Sequence, residues 1–154
     1  DVLERGEIDA LILPQTPRSV VRGSDKIRRL FSNPKEEELK YFRKNGFYPI
    51  MHVVAIKEDT FKKNPWIASS MMAAFVKAKE VSQHYYDDPN WSRLVWERHL
   101  FEEERRLLGE DLWPYGVKQN RANLERFIGY SYDQGLMGRK LSVEELFADS
   151  TLQS

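Results

Sequence analysis

The apolar residues of this chain recur with two different periods, and the change from one to the other divides the sequence. Ile8–Leu13 is a mostly apolar run closed by Pro14 and Pro17, and Ile50–Ile56 is a second, β-branched at four of its seven positions. Short runs that are apolar on both faces predict buried strands. From Asn64 onward the spacing becomes helical. Asn64 and Pro65 read as the cap and first position of a long helix in which Ile67, Met71, Ala74, Phe75, Ala78, Val81 and Tyr85 recur, through about Tyr86. Asp87-Asp88-Pro89-Asn90 breaks it, and a second helix is predicted from Trp91 to Leu108, stopped by Gly109. The aromatic segment Leu112–Val117 is too short for a helix. A third long helix follows from about Lys118 to Gln134, closed by Gly135 and Gly138, and Val143–Phe147 reads as a short terminal one.

The N-terminal part is less regular. Val2 to Arg5 reads as the end of an amphipathic helix stopped by Gly6, so an element upstream of Asp1 is expected. Gln15 to Asp25 reads as an irregular polar loop, Lys26 to Phe31 as a short basic and apolar stretch, and Asn33-Pro34 as the start of a helix that Gly46 ends. Two strands separated by a helix would lie parallel, and two parallel strands do not make a stable sheet alone. Their neighbours are expected from sequence before Asp1 or from another chain, and unpaired edges invite self-association.

Composition narrows the function. The chain has 154 residues, the size of one domain, with 24 basic and 24 acidic side chains and a formal net charge of zero, which leaves no general footprint for nucleic acid. With no cysteine it carries no disulfide, thiolate metal site or cysteine nucleophile. No apolar run approaches the length of a membrane span.

The candidate chemistry lies in three places. Of the histidines, His84 and His99 fall in polar helical surroundings, whereas His52 interrupts an apolar strand and needs a partner or a ligand. None has metal-site spacing, so no metal is expected. The loop after the first strand carries Gln15, Thr16, Arg18 and Arg22, and the carboxyl end of a strand is where open α/β sheets bind ligands; either arginine can clamp a carboxylate. No glycine-rich phosphate cradle is present, which removes nucleotide cofactors. Trp113 and Tyr115, followed by Asn120 and Arg121, make the densest aromatic and polar cluster, suited either to a ring-shaped ligand or to a packed joint between helices. The charged run from Glu97 to Arg106 reads as a solvated helical face.

GEIDALILPQTP (6–17), IRRLF (27–31), FYPIMHVVAIKED (47–59), GEDLWPYGVKQNRANLERFIGYSYDQGL (109–136) and RKLSVEELF (139–147) together resemble the C-terminal half of the 4,5-dihydroxyphthalate decarboxylase family. The resemblance implies an α/β fold: the C-terminal part of a two-lobed, type II periplasmic-binding-protein-like architecture, helix-rich with an incomplete sheet. Residues 1–49 would belong to the second lobe, 50–154 would return to the first lobe and form a helical end, and the N-terminal half of a parent chain would be the partner. The implied activity is cofactor-independent loss of a carboxylate from an aromatic dicarboxylate. His52 or Tyr48 would handle the proton, Arg18 or Arg22 would hold the retained carboxylate, and Trp113 or Tyr115 would contact the ring. The same fold also implies an alternative, non-catalytic capture of a small organic acid. An enzyme would be cytoplasmic, a solute-binding protein periplasmic or extracellular.

Overall fold

Most of the predicted helices form where their start and stop signals stand, and the predicted strands do not form. A computed structural model describes residues 2–88, 90 and 92–154. It divides into two units, one reaching to Lys40 and the other running from Tyr41 to Ser154.

In the first unit, residues 2–6 form a turn closed by bonds from the Gly6 amide to the Leu3 carbonyl and from the Glu7 amide to the Val2 carbonyl, the pattern that ends a helix. Residues 8–13 form no strand, and Ile12 is 98% exposed. The loop expected over 15–25 contains a one-turn helix, α1 (Arg18–Val21), introduced by Pro17, whose fixed φ suits a helix start. Helix α2 (Pro34–Asn45) begins as predicted. The Asn33 side chain accepts from the Glu36 amide at 3.4 Å, and Glu36 and Glu37 lie in the first turn.

The second unit is helical throughout its regular parts: α3 (Glu58–Lys63), α4 (Ile67–Asp87), α5 (Glu97–Leu108), α6 (Val117–Asp133), α7 (Val143–Leu146) and a 3-10 turn over Asp149–Thr151. Helix α3 is an addition to the sequence reading, and it changes the role of Asn64. That residue ends α3, its side-chain amide donating to the Thr60 carbonyl at 3.2 Å, and α4 starts later, after Trp66. Helix α5 is shorter than predicted, starting at Glu97; the expected break at Pro89 and start at Trp91 lie outside the described residues.

The core of this unit is built on one face of α6. Val117, Leu124 and Ile128 are buried with Val143 of α7, and Ile50, Met137, Phe147 and Leu152 pack around them. Burying each of these large side chains contributes about 1.5–3 kcal/mol. Ile50 is therefore the anchored end of the second expected strand, but the run leaves the core at once. Met51, Val53 and Val54 are 70%, 62% and 58% exposed, and no backbone group of residues 50–56 is bonded to backbone among the described residues. The reason is elementary: an extended segment is held by ladder bonds to a neighbour, and none is described beside it. The α/β reading is thus corrected to a helix-rich chain with no strand among the described residues.

The start of α7 is capped by a paired carboxylate. Ser142 and Glu145 form a reciprocal capping box at α7, and Arg139 reaches Glu145 at 2.7 Å. The Arg139 guanidinium, with help from the Ser142 amide, lowers the Glu145 carboxyl from 4.5 to about 2. A depressed carboxylate stabilises the fold fully above its ordinary value and loses that contribution as pH falls through the folded one. Carbon-detected NMR of the Glu145 carboxyl is therefore expected to titrate near 2 in wild type and clearly higher in R139Q. An unchanged midpoint in R139Q would remove the arginine as the cause.

Candidate aromatic site at the head of helix α6

Segment 111–116 joins α5 to α6, and side chains from three other places tie it down. Asp111 starts it with a local turn, its carboxylate accepting from the Trp113 amide at 3.2 Å. Lys79 reaches across from α4: its ammonium lies 2.5 Å from the Asp111 carboxylate and 2.6 Å from the Trp113 carbonyl, and 4.9 Å from the centre of the Tyr115 ring. From α6, the Asn120 amide donates to the Pro114 carbonyl at 2.6 Å and to the Gly116 carbonyl at 2.9 Å. Asn123, buried in α6, donates to the Tyr48 carbonyl at 2.7 Å, which brings the Tyr48 ring edge-on to Trp113 with centroids 5.4 Å apart.

Of the residues singled out in the sequence, this arrangement brings together Tyr48, Trp113, Tyr115 and Asn120. Trp113 and Tyr115 stay 38% and 44% exposed, so they present aromatic surface beside a cation. Such a surface suits a planar ring, whose face the exposed aromatic side chains can take, while the Lys79 charge is already paired with Asp111. Asn120 serves the loop through its amide hydrogens. Arg121 turns to Glu144 at 2.7 Å and to Glu125 at 3.5 Å; the Glu144 pairing raises its guanidinium above its ordinary value, and the Glu144 carboxyl is held below its own first by a backbone amide hydrogen bond and then by Arg121. His52 is exposed in segment 50–56, which has no regular structure.

In the first unit Gln15 and Thr16 are exposed just before α1. Arg18 opens that helix, and Arg22 follows it, 3.6 Å from Glu4. A separate recess of about 270 Å³ lies between α6 and α7, lined by Glu125, Lys140, Ser142 and Glu144 among others, and holds none of the expected ligand residues. Among the described residues no group of three or more His, Asp or Glu could hold a metal, and no helix is long and apolar enough to cross a membrane.

The sequence reading missed Lys79 and Asn123. Lys79 sits in a Lys-Ala-Lys-Glu stretch that reads as a solvated helical face, and its partner Asp111 is 32 residues away, so no local pattern marks it. Asn123 carried a weak signal, being an amide on the apolar side of a helix.

No family model matches the chain. It is 29% identical over 156 aligned residues to a protein described as 4,5-dihydroxyphthalate decarboxylase from Comamonas testosteroni. The match takes in 100% of this chain and 47% of that protein, so the chain spans about half the length of the curated relative it matches. Similarity at this level over the whole chain supports a distant relationship to that decarboxylase.

Proposed function

We propose that this chain contributes to a protein that binds an aromatic dicarboxylate and removes one carboxylate without an organic cofactor. The observation that carries the reading is the exposed aromatic surface of Tyr48, Trp113 and Tyr115, held by Lys79, in a chain alignable with a decarboxylase of such a substrate. In 4,5-dihydroxyphthalate each carboxylate is para to a hydroxyl. Deprotonating that hydroxyl pushes electron density onto the ring carbon bearing the carboxylate. An acid protonates this carbon, the bond to the carboxylate breaks, and its electron pair restores the aromatic ring as carbon dioxide leaves. The balance is one proton taken up and one carbon dioxide released, with 3,4-dihydroxybenzoate as product, so no oxidant or reductant is needed.

The protein's part is to position the ring and move the proton. In this reading Trp113 and Tyr115 hold the ring and Tyr48 or His52 carries the proton. Arg18 and Arg22 keep, as a proposal, the part of carboxylate donors, and Gln15, Thr16, Asn120 and Arg121 that of polar contacts. The fold belonging to the reading is the two-lobed binding-protein type, with 1–49 in one lobe and 50–154 returning to the other. Extended partners from the remainder of such a fold, or from a second copy, would pair with segments 8–13 and 50–56. A cytoplasmic location goes with turnover.

Incubating the protein with 4,5-dihydroxyphthalate and following carbon dioxide together with 3,4-dihydroxybenzoate tests the reading. Equal amounts of both are expected. Tight binding with no gas released would replace catalysis with capture of an organic acid, and with it favour a periplasmic or extracellular place. Absence of binding would end both.

A further inference from the structure

We infer that Lys79 is a positioning residue: from α4 it fixes the peptide of Trp113 and thereby sets the aromatic surface at the head of α6. An exposed ion pair usually matters little, but the Lys79 side chain is only 32% exposed and serves one short segment several times over. It donates to the Trp113 carbonyl and to the Asp111 carboxylate, and that same carboxylate oxygen accepts from the Trp113 amide. Both polar groups of the Trp113 backbone are therefore held, one by Lys79 directly and the other through the carboxylate that Lys79 neutralises. The charge also lies over the Tyr115 ring, 4.9 Å from its centre, so one side chain governs both aromatic residues flanking Pro114. A lysine has three N–H donors on a flexible stem, which suits it to a carboxylate, a carbonyl and a ring face at once. The importance of this for ligand binding rests on the function proposed above; the positioning itself does not.

The test labels the four tryptophans of the full chain with 5-fluorotryptophan, the Trp113 line being assigned with W113F. In K79M the Trp113 fluorine line is expected to shift and broaden while the other lines stay in place, and affinity for 4,5-dihydroxyphthalate is expected to fall about tenfold. K79R, which keeps the donors, is expected to restore both. A Trp113 line in K79M identical to wild type overturns the inference, whatever happens to binding. A disturbed Trp113 line in a protein whose wild type binds no phthalate keeps the positioning role and rejects the proposed ligand. If K79M loses all the lines through unfolding, K79Q answers instead: it leaves the bond from the Trp113 amide to Asp111 in place and removes the charge and reach of the lysine, so a displaced Trp113 line supports the inference and an unmoved one overturns it.

Discussion

Gly116→Ala is expected to destabilise the protein by about 3–4 kcal/mol, a large part of the stability an ordinary domain possesses. Two costs combine. Gly116 has φ 99° and ψ 159°, a backbone conformation essentially reserved for glycine, which costs other residues about 1–3 kcal/mol. A Cβ there would also stand 2.6 Å from the backbone carbonyl carbon of Ser154 and 2.7 Å from its oxygen, and backbone cannot swing aside as a side-chain tip can. The tail would have to lift, and the tail caps α6. The Lys118 amide donates to the Ser154 carbonyl at 2.9 Å and the Val117 amide to its hydroxyl at 3.4 Å, in place of the side-chain cap that a glycine cannot supply. Gly109 provides the control. Its φ of 100° and ψ of 176° impose the same strain, but nothing lies within 4 Å of a Cβ built there. Urea unfolding should therefore rank Gly109→Ala clearly milder than Gly116→Ala, and equal losses would mean that the tail contact contributes nothing.

That glycine also shows where the sequence was legible and where it was not. Helix ends are local chemistry. The stop at Gly46, the stop at Gly109 and the start at Asn33-Pro34 could be read because each depends on a few neighbouring residues. Gly116 could be read only as part of an aromatic turn, since its partner is at the far end of the chain. The apolar runs 8–13 and 50–56 show the opposite limit: their pattern predicts a strand, but a strand needs a paired neighbour, and none is described beside either run. The same distinction runs through the candidate site. Trp113 and Tyr115 stood out as a local cluster, and Tyr48 entered only through the family resemblance. Their assembly by Lys79 and Asn123 joins residues 32 and 75 positions apart, and single-chain spacing does not encode such pairings.

Asn123→Leu is expected to cost about 2–3 kcal/mol, more than its matching branched skeleton suggests. Asn123 is 5% exposed on the α6 face that carries Leu124, so leucine there would gain apolar burial. What it loses is the bond from the Asn123 amide to the Tyr48 carbonyl at 2.7 Å, and removing a hydrogen bond to a partly buried carbonyl costs about 1–3 kcal/mol. The consequence reaches beyond stability, because that bond fixes the backbone from which Tyr48 meets Trp113 and from which Ile50 enters the core. Asn123→Asp sharpens the expectation: a carboxylate has the same shape but no donor, and it would face the carbonyl with like partial charge in a buried position. Urea midpoints should therefore fall in both variants, further in Asn123→Asp at neutral pH, and part of the aspartate's extra loss should return on acidification as the carboxyl regains a proton and can donate. Were Asn123→Leu as stable as wild type, the amide would be a passive filler and the anchoring of Tyr48 would have to come from its other contacts.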